Sequence, residues 1–93
     1  MKWLETIELR STEGNRKSLE SQLLKLVNEV NRKTKKHAIK VYSRSTIETD
    51  FFLQLFHDSK KAEDSGSQLG LRLVEALKDF GLVNYSIWIE MHD

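Results

Sequence analysis

Three side chains of this sequence are candidates for acid–base or metal chemistry: Glu5, His37 and His57. A neutral imidazole accepts a proton near neutral pH, and imidazole combined with a carboxylate can bind a divalent metal and leave positions open for a substrate. Without a metal, the same groups can act as general acid and base. Either chemistry requires a fold that brings the three residues together, because they lie far apart along the chain.

The segments around these residues alternate between apolar and polar side chains, which predicts β-strands. In the first segment, Ile7 and Leu9 face one side and Glu8 faces the other. The four predicted strands are "WLETIELR" (3–10), "HAIKVYSR" (37–44), "FFLQLFHDS" (51–59) and "VNYSIWIEM" (83–91). All three candidate residues therefore lie on strands.

Two further segments repeat apolar residues at helical spacing. Ser65 and Gln68 have the spacing of a capping box at the start of the second helix, and Gly81 suits its end. The apolar positions are Leu19, Leu23, Leu26, Val27 and Val30 in the first helix and Leu69, Leu73, Ala76, Leu77 and Phe80 in the second.

The two helices match each other at an offset of fifty residues, so that Leu19 and Val27 correspond to Leu69 and Leu77. A β-α-β unit used twice gives the ferredoxin-like order β-α-β-β-α-β. We therefore predict a single α+β domain over residues 1–93. Its four-stranded antiparallel sheet has the order 4-1-3-2, and both helices cover one face.

One register of the second and third strands places complementary side chains opposite each other. It is centred on Ile47 and predicts the pairs Arg44–Asp50, Val41–Leu53, Ile39–Leu55 and Tyr42–Phe52. The same register sets His37 opposite His57, and Glu5 lies at that end of the neighbouring first strand. A shift of one residue would separate the two histidines.

This register gathers the three candidate residues at one mouth of the layer between the sheet and the helices. Trp3 and Met91 lie near this mouth, and Glu5, His37 and His57 are the candidate catalytic residues. The alternative is structural: His37 is then a solvated residue at the start of a strand, and His57 lies past the last paired position. No metal site is assigned, and the cofactor is left open.

The opposite face of the predicted sheet also carries large apolar side chains, although two helices can cover only one face. We predict that this second face is a homodimer interface. Its apolar residues are Leu4, Tyr42, Phe52, Phe56 and Trp88. The alternatives are an RNA-binding platform on which bases stack, and a monomer with scattered surface aromatics. The third strand lacks the glycine–aromatic core of an RNP1 motif, which disfavours RNA.

Composition is that of an ordinary globular domain, with 39% hydrophobic and 31% charged residues. The formal net charge of +1 provides no general electrostatic case for nucleic acid or an anionic membrane. The absence of cysteine excludes disulfides and thiolate metal sites. No apolar run is long enough for a spanning helix, and residues 1–10 lack a signal-peptide apolar region. We therefore expect a cytoplasmic protein.

The order of elements, the first strand "ETIELRS" and the ending "LGLRLVEALKDFGLVNYSIWIE" resemble the dimeric α+β-barrel superfamily. Within it, the chain is similar to small antibiotic-biosynthesis-monooxygenase-like domains over nearly its whole length. The resemblance implies homodimers formed through the sheets and a pocket between sheet and helices. Some members are cofactor-independent oxygenases and others degrade haem. No catalytic motif of the family maps onto this chain, so no catalytic residue is carried over.

From the residues and the resemblance together, we expect binding or turnover of a small molecule in the pocket between sheet and helices. The alternative is a module without enzymatic activity, either a ligand sensor or a structural dimer. Whether the protein is an enzyme is left open at this point.

Overall fold

The computed structural model describes residues 1–12, 16–33, 38–47 and 49–91. Its elements follow the predicted order and are β1 (Lys2–Ser11), α1 (Arg16–Lys33), β2 (Ala38–Ser43), β3 (Asp50–Asp58), α2 (Gln68–Leu77) and β4 (Gly81–Ile89). This is the ferredoxin-like arrangement. Neither helix of the described part of the chain has the length and apolar character needed to cross a membrane.

The four strands form one antiparallel sheet in the order β2-β3-β1-β4, which confirms the predicted topology. The predicted register is also confirmed, because Val41 pairs with Leu53 and Tyr42 pairs with Phe52. The hairpin between β2 and β3 is closed by the Arg44 amide, which donates to the Asp50 carbonyl at 3.0 Å. Since strand residues alternate in direction, this register fixes which side chains share a face.

One face of the sheet, the inner face, packs against both helices. α1 contributes Leu19, Leu23 and Val27, which recur every four residues and so line one side of the helix. The buried apolar cluster consists of Ile7, Leu9, Leu19, Leu23, Val27, Ile39, Phe51, Leu53, Leu55, Leu73 and Leu77. The other face, the outer face, has neither helix against it.

The two helices are anchored to the sheet at different points. Near the end of α1, the Asn31 side chain bonds both the amide and the carbonyl of Ile39, at 2.9 and 3.0 Å, and ties the helix to β2. α2 is capped by Ser67, whose hydroxyl accepts the Gly70 amide at 3.0 Å. The prediction of Ser65 as the capping residue was therefore wrong by two positions.

The end of β4 differs from the sequence-based expectation. Alternation along "VNYSIWIEM" places Ile89 and Met91 on the same side as Tyr85, towards the helices, but they are 53% and 94% exposed. α2 begins over Glu5 on β1 and runs towards the opposite end of the sheet, where Gly81 pairs with Ser11. The last residues of β4 therefore extend past the helix that would have covered them.

Candidate functional site

Glu5 is fully buried on the inner face of β1, with 0% of its surface exposed. Its position follows from alternation, because Glu5 shares the inward direction of Ile7 and Leu9. A charge in such a place requires partners that satisfy its oxygens. The surrounding elements β3, α2 and β4 each supply one, and we call Glu5, His57, Ser67 and Tyr85 the Glu5 cluster.

Both oxygens of the Glu5 carboxylate are engaged. Oε1 lies 2.6 Å from Nε2 of His57 and also accepts the Ser67 hydroxyl. Oε2 accepts the Tyr85 hydroxyl at 2.5 Å and the Ser67 backbone amide at 3.2 Å. The carboxylate thus joins two strands and one helix to β1. Chemically, the pair of Glu5 and His57 can share or pass a proton between carboxylate and imidazole.

The start of α2 is shaped around this carboxylate. Ser67 is the capping residue, so the partial positive charge of the helix N-terminus points at Glu5. Gly70 allows the close approach, since a Cβ there would lie 1.8 Å from Oε2 of Glu5. Gly66 has φ +88°, and a Cβ on it would lie 2.0 Å from the Tyr85 hydroxyl. The glycines therefore provide the space that the cluster occupies.

An aromatic stack borders the Glu5 cluster. The rings of Trp3 and His57 lie 4.1 Å apart with an interplanar angle of 21°. The Trp3 indole donates to the Ser59 hydroxyl at 2.9 Å, which ties the stack to the segment after β3. Trp3 and His57 are only 4% and 6% exposed, so the pair is shielded from water.

The protonation of Tyr85 follows from its surroundings. Burial, the hydrogen bond to Glu5 and the nearby Glu5 charge all raise the pKa of the Tyr85 hydroxyl above its usual value. Tyr85 therefore remains protonated at neutral pH and acts as a hydrogen-bond donor to the carboxylate. The Ser67 and Tyr85 hydroxyls and the Ser67 amide donate to the Glu5 carboxylate, and the His57 imidazole lies against it.

Sequence reasoning identified only part of this cluster. The structure brings Glu5 and His57 together and places Trp3 beside them, while their catalytic role stays a prediction. His37 lies outside the described residues, so the predicted pair of histidines is not described. Met91 is nearly fully exposed and is therefore not part of the buried surroundings of Glu5.

Ser67 and Tyr85 were missed as partners of Glu5. The signal for Tyr85 was available, because it faces inward opposite Ile7 and is therefore diagonal to Glu5 on the same face. Ser67 had no comparable signal, since its position depends on how the helix settles on the sheet. Within the described residues, no three histidine or carboxylate side chains are grouped to hold a metal.

The outer face carries the second candidate site. It displays the five predicted interface residues together with Leu82, which is 72% exposed. Tyr42 and Trp88 are 46% and 58% exposed, and the Tyr42 ring lies 6.2 Å from that of Phe52. The Trp88 indole donates to the Thr6 hydroxyl at 3.0 Å, which holds the exposed ring at this face.

Charged side chains at one end of the outer face are paired with each other. Asp50 accepts from Arg10 at 3.3 Å and from Arg44 at 3.2 Å. Burial raises the pKa of Asp50, but hydrogen bonds from Arg10, Thr49 and Arg44 outweigh it and leave the pKa below its usual value. These charges are therefore held in fixed positions beside the apolar side chains.

Two hollows lie along this face. One, of about 530 Å³, contains the Arg10–Asp50–Arg44 group and the Tyr42–Phe52 pair. The other, of about 480 Å³, is bordered by Phe56, Trp88, Trp3 and His57. A smaller hollow of about 220 Å³ lies instead at the edge between α1 and β2. The two larger volumes are within the range of small-molecule sites.

These features define a ferredoxin-like α+β protein with a buried Glu–His–Tyr–Ser cluster and an uncovered apolar sheet face. Comparison of the chain with protein-family models, with curated proteins and with solved structures finds no match. Function is therefore inferred from the geometry of the Glu5 cluster and the outer face.

Proposed function

We propose that the protein acts as a homodimeric α+β module in which the outer faces of two copies pack on each other. The observation that supports this proposal is the uncovered outer face, where large apolar side chains and both larger hollows lie together. Both helices pack on the opposite face, so they leave these side chains in water. An apolar patch of this kind is typical of an interaction surface.

Size and charge favour a second copy as the partner. Four strands about 4.8 Å apart and nine residues about 3.3 Å apart make a face of roughly 19 by 30 Å. Because side chains make the accessible area larger than this flat area, the face is comparable to the roughly 800 Å² that each partner buries in a standard interface. The face carries both signs of charge, including Lys40, Arg10, Glu8 and Asp58, so two copies related by a two-fold axis can pair them.

Phe52→Asp is expected to halve the mass of the wild-type assembly. Phe52 lies within the outer face beside Tyr42, and a carboxylate there would be buried without a partner when two copies pack. The mass is measured by light scattering behind size exclusion. Leu71→Asp is the matched control, because Leu71 is an equally apolar residue that is 44% exposed on α2. This control should keep the wild-type mass.

Two results would overturn the proposal. A wild-type protein that elutes with the mass of a single chain leaves the outer face uncovered. Equal masses for Phe52→Asp and Leu71→Asp would mean that the assembly uses another surface. Far-UV circular dichroism verifies that each variant is folded before its mass is interpreted.

A second candidate function is the binding or turnover of a small molecule beside the Glu5 cluster. The observation that favours it is the hollow of about 480 Å³ along the outer face, whose border includes Trp3 and His57. On the inner side of the strand, the His57 ring lies 2.6 Å from the Glu5 carboxylate. An apolar ligand with one ionisable group fits this surrounding. In that case His57 is the proton acceptor or donor, and Glu5 holds its ring in position.

The two tryptophans distinguish where such a molecule binds. Trp3 is 4% exposed beside the Glu5 cluster, and Trp88 is 58% exposed on the outer face. A set of small aromatic acids is titrated into ¹⁵N-labelled protein, and the two indole N–H signals are followed by NMR. A ligand in this hollow is expected to shift the Trp3 signal together with that of Trp88, because both residues border it. Shifts confined to Trp88, or none at millimolar ligand, would exclude this candidate for the acids tested.

A further inference from the structure

The edge strand β4 lacks the features that normally keep a sheet edge from pairing. Its nine residues, Gly81–Ile89, contain no charged residue and no proline. Its pairing with β1 is unbroken, so no bulge twists the edge away. Not one of its residues is buried. Exposed edges of this length and polarity invite another strand, which natural sheets usually prevent with charges, prolines, bulges or short strands.

The other edge of the same sheet has such protection. β2 has six residues, Ala38–Ser43, and its central side chain on the outer face is Lys40. A charge after the strand does not distinguish the two edges, since Arg44 follows β2 and Glu90 follows β4. A short strand with a central charge is a poor template for pairing. The contrast between the two edges of one sheet therefore points to β4 as the edge that is used.

The backbone direction of β4 determines which residues can pair. The Glu90 amide donates to the Lys2 carbonyl at 2.9 Å, and the Phe80 carbonyl accepts the Thr12 amide at 3.1 Å. The backbone amides and carbonyls of the even-numbered residues between them therefore point towards β1, because the direction of these groups alternates along an antiparallel pair. The amides and carbonyls of Val83, Tyr85 and Ile87 consequently point to the free edge.

The order of apolar and polar residues in β4 is the same whether it is followed from Tyr85 towards the start or towards the end of the strand. In an antiparallel pair of two β4 strands centred there, Asn84 lies opposite Ser86 and Leu82 lies opposite Trp88. The polar residues then meet each other on the outer face, and the two most exposed apolar residues of β4 cover each other. A centre two residues away in either direction would instead set a polar residue against Leu82 or Trp88. Matched cross-strand pairs favour the register centred on Tyr85.

We propose that β4 pairs antiparallel with β4 of a second copy, with the two-fold axis at Tyr85, and so joins two sheets into one of eight strands. In this register the outward amides and carbonyls of five residue pairs can form up to about ten backbone hydrogen bonds. A heterologous partner would need no symmetry about Tyr85, whereas a two-fold pair requires it. The inverted symmetry of the strand is thus the reason that the partner is a second copy.

This edge contact goes beyond the packing of the outer faces and uses other atoms. Edge pairing involves the backbone of β4, while face packing involves side chains that project from the sheet. If both contacts form, the wild-type assembly has four chains, with two eight-stranded sheets face to face. If face packing fails, edge pairing still gives a dimer, so the failure of one proposal does not hide the outcome for the other.

Ile87→Pro tests the edge contact by mass. Proline removes the Ile87 amide, which points to the free edge, and therefore leaves the bonds from β4 to β1 in place. Ile87→Val is the control, because it keeps the amide and the β-branched side chain. We expect the proline variant to have half the wild-type mass and the valine variant to match the wild type. Combined with Phe52→Asp, the proline variant should be a single chain if both contacts form.

Cysteine pairs test the register, since the natural chain has no cysteine. Asn84→Cys and Ser86→Cys are each made in the Phe52→Asp background, which removes face packing. Residues 84 and 86 of opposite copies form a non-hydrogen-bonded pair with Cα atoms about 4.5 Å apart, within the range for a disulfide. Oxidation of an equimolar mixture should give mainly the 84–86 cross-link, and either variant alone should cross-link several-fold less.

Three results would overturn the pairing of β4 or its register. A folded Ile87→Pro protein with the wild-type mass overturns the edge contact. Cross-linking that is equal in the mixture and in the separate variants overturns the register centred on Tyr85. A Phe52→Asp protein that is already a single chain overturns the pairing of β4 even before proline is introduced.

Discussion

Glu5→Ala is expected to lower the free energy of unfolding by about 3–5 kcal/mol, the range for removing one partner of a buried ionic group. The reason is the number of groups that lose their acceptor at once. The buried His57 ring and the partly buried Ser67 amide, Ser67 hydroxyl and Tyr85 hydroxyl would all lose the carboxylate. Small domains are stable by only about 5–15 kcal/mol, so this loss would be a large part of the total.

The measurement is urea unfolding followed by far-UV circular dichroism. Both proteins are in the Phe52→Asp background, which removes face packing, and at equal chain concentration, because pairing through β4 remains. Glu8→Ala is the matched control, because Glu8 is a carboxylate on the same strand but exposed on the outer face. Its effect should be within about 0.5 kcal/mol. A loss below about 1 kcal/mol for Glu5→Ala would mean that the cluster contributes little to stability.

Glu5→Gln separates shape from hydrogen bonding at the same position. The amide has nearly the same volume but offers one acceptor oxygen in place of two, and its nitrogen only donates. The donors that now bond to one of the two Glu5 oxygens would then face the amide nitrogen of glutamine, which is itself a donor. We therefore expect Glu5→Gln to unfold at lower urea concentration than the parent, and Glu5→Ala at the same or a still lower concentration.

Gly70→Ala is expected to destabilise the protein by about 1–3 kcal/mol, the usual cost of forcing extra atoms into a packed site. Helix propensity alone predicts the opposite sign, since alanine is better than glycine in a helix interior by about 0.5–1 kcal/mol. Here a Cβ would lie 1.8 Å from Oε2 and 2.6 Å from Cδ of Glu5. Steric overlap therefore outweighs propensity.

A double-mutant cycle tests this explanation. In Glu5→Ala protein the carboxylate is gone, so the added methyl group of Gly70→Ala has room and its penalty should fall or reverse. Gln68→Ala, an exposed change in the same turn of α2, is the control and should be nearly neutral. If Gly70→Ala stabilises the parent protein, the contact with Glu5 is not what requires glycine.

Topology and register could be predicted because they depend on periods that are visible in the sequence. Alternation identifies the faces of each strand, and complementary pairs select the alignment of β2 and β3, as Val41 and Leu53 illustrate. The contact of Glu5 with His57 followed from the same two facts. Both residues face inward, and both lie at one end of neighbouring strands.

The remaining parts of the site depend on how the helices are placed on the sheet, and the spacing of apolar residues in the sequence does not indicate this placement. Ser65 and Ser67 are both suitable residue types for a helix cap. Ser67 is the one that caps α2, and it is also the one that contacts Glu5. Alternation assigned Ile89 to the correct face, but it does not reveal how far α2 extends over that face. The exposure of Ile89 is therefore a property of helix length and direction.

The position of β1 at the centre of the sheet affects how the chain can fold during synthesis. β1 is made first among the strands but lies between β3 and β4, the last two. Its hydrogen bonds on one side, and the Glu5–Tyr85 contact across 80 residues, are impossible until β4 has left the ribosome. β1 therefore completes its pairing only after β4 has been synthesised, and Glu5 gains all its partners only when the whole sheet has been translated.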